Sequence, residues 1–596
     1  MSNPSQEYSV RIERFAAAVA AKHRQHVRVG NTKIGVIVTG LVLAWMSLAR
    51  EWVSPYWLAV PLSVYAALAL LHEHILRTRR RDQTAAEFNR RGLARIEDRW
   101  AGTGQTGDRF REEPHVYADD LDLFGRGGLF ELLCTARLPM GENQLAQWLR
   151  FPSAKEDILE RQRLLHELRD KIDLREELAV NGEDLRTRFN PESLVGWTES
   201  QRVLPKSPWR LVTAFLALGT AAAILYYFAG GSYRIALILL AIDAGFLRAL
   251  KKRAQTVIHG VSCNAEGLLL FSQILQRLER ERFTAPRLQK FSVELTAGKQ
   301  RASQAIRKLA RIVYWIDAEH SLLAHLAELP LLYTLQVAFA AEAWRSRFGQ
   351  SMRRWVEISG EMEALLSLAG YTFEHPADPF PEFLNEENSA KFHAEELGHP
   401  LIPAARCIRN SVQLDDGTRV LLVSGSNMSG KSTLLRAVGI NAVLAMAGAP
   451  VRAKSLRLTP LAIGTRIRST DSLQEGRSGF YTEILHIRAV FKLAESGKLP
   501  LLFLFDELLE GTNSKDRRIG AEGLLRVLLD RGAIGIVTTH DLALTEIGQS
   551  LGQSLRNMHF QDYVENGQMR FDYTLREGVV AKSNAIELMR LIGLRV

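Results

Sequence analysis

Residues 421–438 read LLVSGSNMSGKSTLLRAV: an apolar run, a loop of glycine and serine ending at Lys431, then a helix-like stretch. No other feature constrains the fold as tightly, because each piece has one place it can occupy. Gly425-Ser426-Asn427-Met428-Ser429-Gly430-Lys431-Ser432 fits the phosphate-loop pattern G-x-x-x-x-G-K-[ST], with the strand RVLLVS before it and the helix STLLRAVGINAVLAMAG after it. The glycines let backbone N–H groups turn inward around phosphate oxygens, and the helix N-terminus adds partial positive charge. In such a loop Lys431 reaches the β- and γ-phosphates, the Ser432 hydroxyl ligates Mg2+ and Thr433 completes the set, so the expected ligands are ATP and Mg2+.

Further on, LPLLFLFDELLEGTNS supplies a continuous apolar strand tipped by Asp506 and Glu507. A strand buried on both faces of a parallel sheet reads this way. Asp506 is then placed to hold the metal and Glu507 to polarise the attacking water. AIGIVTTHD is a second buried strand, whose end presents His540 to the same crevice as a sensor of the γ-phosphate. Core-adjacent salt bridging is the plain alternative for the acids, and a structural histidine the plain alternative for His540.

GSNMSGKST resembles the G-P-N-M-x-G-K-S-T of the MutS family, DELLEGTNS is similar to its D-E-x-x-x-G-T-x-x, and TTHD matches its strand-end histidine motif. DSLQEGRSGFYTEI, residues 471–484, resembles the family segment D-x-x-x-x-G-x-S-x-F-x-x-E, and the tail from NMHF to RLIGL looks like the family C-terminus. The resemblance implies that Ser478 is offered across a dimer to the nucleotide of the partner, giving two composite ATP sites. Weaker resemblance extends upstream, where GGLFELLCTARLPMGENQLAQWLRFPS is similar to the start of the MutS helical core. Mismatch-binding members carry a separate N-terminal recognition domain, and here the first of two apolar hairpins takes its place. The partners implied are a second copy, DNA and a MutL-like protein.

Those hairpins are four apolar segments in two pairs: 34–49 with 52–71, and 211–233 with 235–247. The second and third carry no charge over 20 and 23 residues, enough at about 1.5 Å per residue to cross roughly 30 Å of hydrocarbon. The first and fourth are shorter, and the fourth contains Asp243, which sets a cost of about 3 kcal/mol against the surrounding apolar residues, so packing on its hairpin partner decides its insertion. Buried helices of a soluble core are the alternative, weakened by two spans with almost no polar face. Arg28, Lys33, Arg77 and Arg79–Arg81 flank the first pair, and Lys206, Arg210 and Lys251–Arg253 the second, while the turns between partners hold only Arg50, Glu51 and Arg234. Positive flanks put both pairs in the cell (inner) membrane, with the remaining domains in the cytoplasm and the bilayer as a further partner.

Among 596 residues, 46% are hydrophobic and 24% charged, with a net charge of +10 that suits an anionic partner without naming one. Cys134, Cys263 and Cys407 are too few and scattered for a disulfide framework or zinc site. The polar start MSNPSQEYSV argues against a cleaved signal peptide. His72 and His74, and His320 with His325, lack metal-pair spacing and read as structural. A basic face, Lys299, Arg301, Arg307, Lys308 and Arg311, reads as solvated helix surface, with a nucleic-acid contact as the sharper alternative.

The expected fold is α plus α/β and multidomain: cytosolic segment 1–33, transmembrane hairpin 34–76, helical core 77–204, hairpin 205–253, helical core and lever 254–375, linker 376–392, and a P-loop α/β ATPase domain 393–596 of the ABC superfamily. An ABC-type transport ATPase is the first rival function, opposed by the partial echo LQEGRSG where L-S-G-G-Q would stand. A nucleotide-binding membrane scaffold with negligible turnover is the second.

Overall fold

The structure, a computed structural model, describes residues 3–111, 115–186, 188–205, 208–261, 264–296, 300–318, 322–385, 389–426, 428–467, 479–510, 512–565 and 568–579. The chain divides into two compact units, one of Met1–Arg90, Ala136–Gly141 and Lys171–Glu363, the other of Arg91–Thr135, Glu142–Asp170 and Ala364–Val596.

The first unit is helical. Its N-terminal helix runs Pro4–Leu48, with Asn3 as N-cap accepting from Ser5 N and Pro4 in the first turn, where its missing N–H costs nothing. The expected cytosolic segment 1–33 and the first apolar segment thus share one continuous helix. Arg11 Nη1 pairs with Asp173 at 2.7 Å and Lys22 Nζ with Asp82 at 2.6 Å, fastening the polar half to its neighbours. The returning helix is Ala59–Ile96.

The second hairpin joins Pro208–Phe228 to Tyr233–Gly260. Thr213, Ala217, Thr220 and Ala223 recur at three- and four-residue spacing and are buried, whereas Phe215 is 71% and Phe228 80% exposed. Polar-in and apolar-out is the reverse of a helix pair folded in water. Asp243 is fully buried, and the Thr220 hydroxyl donates to its Oδ2 at 2.6 Å. The length and apolarity needed to cross a membrane are met, among the described residues, by three helices: Pro4–Leu48, Pro55–Ile96 and Trp209–Phe228. The fourth segment lies in Tyr233–Gly260, whose C-terminal half carries Arg248, Lys251, Lys252 and Arg253. The rest of this unit is a bundle in which Ala265–Arg280 packs on Ala302–Asp317 and on Ile172–Leu185.

The second unit holds two sheets. β1 (Glu382–Phe383), β5 (Ser455–Leu458), β2 (Phe392–Leu397) and β3 (Asn410–Leu414) lie side by side in that order. The expected linker 376–392 thus contains an edge strand, and Leu384 N donates to Leu458 O at 2.9 Å. The larger sheet has the order β10-β9-β4-β8-β7-β6, with β4 Val420–Ser424, β6 Ala462–Arg466, β7 Leu501–Phe505, β8 Ile534–Thr539, β9 Leu555–Glu565 and β10 Gln568–Glu577. All neighbours are parallel except β9 and β10. Every residue of β4, β7 and β8 is buried, which is why the sequence shows runs rather than alternation.

Residues 115–135, placed in sequence with the helical core, belong to this unit. Asp120 Oδ2 accepts from Thr465 Oγ1 at 2.7 Å and from Ile467 N at 2.9 Å, and Val116 O accepts from Thr465 N. Leu121 packs onto the Lys431–Met446 helix at Gly439, where a Cβ would stand 2.5 Å from its Cδ2.

Candidate functional site

β4 ends at Ser424 and the helix beginning at Lys431 follows after six residues, with Gly430 at its N-cap in the left-handed region (φ 105). Met428 (φ 71) is also left-handed and its side chain points to solvent. Lys431 is buried, and its Nζ donates to Gly425 O and Ser426 O, both at 2.8 Å, and lies 3.9 Å from Glu507 Oε1. Burial pulls the Lys431 ammonium below the ordinary lysine value against the opposing pull of Glu507 and Asp506. The Ser426 and Ser429 hydroxyls are buried without a hydrogen-bond partner among the described residues.

On the neighbouring strands, the Thr538 hydroxyl donates to Asp506 Oδ1 and accepts from Glu507 N at 3.0 Å. Asp506 N donates to Arg466 O at 2.8 Å, so β6, β7 and β8 all converge on the acid pair. Glu507 (φ 49) and Leu509 (φ 59) are left-handed, a strain of about 1–3 kcal/mol each. Buried Glu483 holds this turn by accepting from Leu509 N at 2.9 Å, and Arg517 Nη2 donates to Glu510 O at 2.7 Å. His540 reaches the site through Glu507, with Nδ1 3.6 Å from Oε1. Burial pushes the Glu507 carboxyl up, with Glu510 and Asp506 adding to the rise and His540 and Lys431 opposing it.

These residues edge a cleft of about 1080 Å³. Its lining combines polar groups, among them Lys431, Ser432, Thr433, Asp506 and Glu507, with apolar ones such as Leu401, Ile402 and Ile408, and Tyr573. Tyr573 is held in place by Asn410, which donates to Tyr573 O at 3.0 Å and accepts from Leu575 N at 2.8 Å. The Tyr573 ring lies 3.1 Å from where a Cβ at Gly430 would stand, a tight approach at a position where φ already favours glycine.

A cleft lined by a buried ammonium, hydroxyls and carboxylates together with apolar side chains fits a nucleotide. Ser432 and Asp506 offer the all-oxygen donors that Mg2+ prefers. Glu507, Glu510 and His540 also bring ligand atoms within 4.8 Å of one another, but an imidazole suits Mg2+ poorly. The structure therefore gathers Gly425, Ser426, Met428–Thr433, Asp506, Glu507 and His540 around one loop, whereas Asn427, Ser478 and the rest of 471–478 lie outside the described residues. Sequence reading missed Thr538, Asn410 and Tyr573; only Thr538 left a signal, a polar pair closing an otherwise apolar strand.

A strand, phosphate loop and helix beside an acid-tipped parallel strand define a P-loop nucleotide-binding domain. The family model of MutS domain V matches residues 421–595. Endonuclease MutS2 of Thermus thermophilus is 35% identical over 204 residues, covering 33% of this chain and 25% of the relative. DNA mismatch repair protein MutS of Streptococcus pyogenes serotype M1 is 36% identical over 190 residues, 31% of this chain and 22% of the relative. That of Lactobacillus delbrueckii is 34% identical over 202 residues, 33% and 23% respectively. This C-terminal region relates the chain to the MutS family, and the chain spans about a quarter of the length of the curated relatives it matches.

Proposed function

We propose that the protein is a membrane-anchored MutS-like ATPase that dimerises, binds and hydrolyses ATP with Mg2+, and engages DNA. The observation that carries this is the convergence of Lys431, Asp506 and Glu507 on one cleft, with Thr538 fixing both acids. Lys431 leaves the Gly425 and Ser426 carbonyls to meet phosphate oxygens, joined by the Ser426 and Ser429 hydroxyls. Ser432 and Asp506 would hold Mg2+, whose charge would offset that of the phosphates. Glu507 orients the attacking water, and His540 sets the position of Glu507. Ser478 completes the site of the partner copy across the dimer. The relatives named as mismatch repair protein and endonuclease support a DNA-directed role, and the outward apolar faces of the hairpins support anchoring in the cell membrane with the other domains in the cytoplasm.

The test is ATP turnover by the detergent-solubilised full chain with no DNA, homoduplex, mismatched and branched DNA, across salt. DNA-stimulated turnover that fades steeply as salt rises supports the reading. Turnover indifferent to every DNA, and stimulated instead by a solute enclosed in vesicles, overturns the DNA role in favour of transport.

A further inference from the structure

One exposed apolar patch has no part in the nucleotide site. At the end of the Ala302–Asp317 helix, Tyr314 and Trp315 are 63% and 53% exposed and meet edge to face with ring centroids 5.9 Å apart. Leu326, 66% exposed on the Leu322–Glu328 helix, and Leu331, 44% exposed two residues before Tyr333, add apolar surface to the segment that Tyr333 ties to Trp315.

Hydrogen bonds within the same unit set its level relative to the second hairpin. The Tyr333 hydroxyl donates to Trp315 O at 2.6 Å and the Trp344 indole to Ala305 O at 2.7 Å, so the two helices run antiparallel and the patch sits where the long helix begins. Arg345 Nη2 donates to Gln201 O at 3.0 Å and Val203 N to Glu342 Oε1 at 3.1 Å, so the chain leading into the hairpin heads along the long helix toward Tyr333. On the return, Tyr233–Gly260 buries Ala254, Val257 and Ile258 and brings Gly260 against Trp197, whose ring stacks on Trp344 at 6.0 Å. Tyr333 lies eleven residues before Trp344, roughly 16 Å along a helix; the same count back from Gly260 arrives at Ala249. That is beside Lys251, Lys252 and Arg253, and one turn from Phe246, whose ring meets Trp209 at 5.7 Å.

We propose that the Tyr314–Trp315–Leu326–Leu331 tip is a lipid-contacting element seated in the headgroup region of the bilayer that the hairpins cross, an inference that rests on the anchoring reading above. Tryptophan and tyrosine favour that zone because an apolar ring with one polar atom satisfies both its sides. The lysines and arginine at the same level match anionic headgroups, which selects a lipid surface over an apolar protein groove as the occupant. The helical unit is then held to the membrane at its tip as well as through its spans.

The test places the photocrosslinker p-benzoylphenylalanine at Tyr314, Leu326, Leu225 or Ile519 of the full chain in phosphatidylethanolamine–phosphatidylglycerol vesicles, with mass spectrometry as readout. Leu225 lies on the outward face of the second hairpin and Ile519 on the exposed face of the Ser514–Asp530 helix. The expected result is a mass shift of one lipid at positions 225, 314 and 326 and none at 519. A lipid adduct at 225 with none at 314 and 326, or with protein crosslinks there instead, overturns the tip while anchoring stands. No adduct at 225 overturns anchoring, and the tip with it.

Discussion

The Thr538 hydroxyl, near the end of one buried strand, donates to the Asp506 carboxylate at the end of its parallel neighbour. The same oxygen accepts the Glu507 amide, so one side chain positions both acids. Thr538→Val keeps the shape and removes both bonds, at about 1–3 kcal/mol. The expected outcome is a roughly tenfold to hundredfold fall in kcat with a raised Mg2+ requirement, measured by steady-state ATPase assays over a Mg2+ series. An unchanged kcat and Mg2+ profile would remove Thr538 from the site.

Lys431 and Glu507 have separable roles. Lys431→Ala removes the buried ammonium that Lys431 places beside the phosphate loop, costing about 1.5–3 kcal/mol of nucleotide affinity. Glu507→Gln retains the side-chain shape and loses the charge that polarises water, so ATP binding is preserved and turnover falls by about a hundredfold or more. Equilibrium binding of a fluorescent ATP analogue alongside turnover distinguishes them; equal turnover by wild type and Glu507→Gln sinks the water-activating role.

The pH profile follows from the neighbours of Glu507. Its carboxyl is raised by burial, then by Glu510, so the ionised form that activates water is lost on acidification at a pH above the usual carboxylate range. Glu510→Gln removes a like charge, lowers the Glu507 pKa, and moves the acid limb of the kcat profile to lower pH. A limb that moves upward, or stays, contradicts the electrostatic account.

Asp120 ties residues 115–135 to the sheet through Thr465 and Ile467. Asp120→Ala leaves the Ile467 amide without its acceptor in a buried setting, at about 1–3 kcal/mol. A lower midpoint of thermal unfolding and faster proteolysis between 110 and 135 are expected, with nucleotide affinity little changed.

In the second hairpin, Thr220→Val takes the donor from a fully buried Asp243. Hydrogen bonds between membrane helices average about 0.6 kcal/mol and reach about 1.7, so a small loss of thermal stability in detergent is expected, with Thr220→Ser restoring it. Equal stability in all three forms would show that the pair does not clamp the hairpin.

The phosphate loop, the acid-tipped strand and three long apolar helices were legible along the chain, because each depends on near neighbours: glycine and lysine within one loop, apolar runs within one buried strand, uncharged length within one helix. What needed the fold were contacts between residues far apart in sequence. Leu121 on Gly439, Asp120 on Thr465, Thr538 on Asp506 and Asn410 under Tyr573 carry no local pattern, since a buried hydrogen bond or a close approach is specified by where two segments meet. The domain boundaries drawn from composition stopped at the hairpins for the same reason: composition records what each segment needs to bury, and only packing decides which partner buries it.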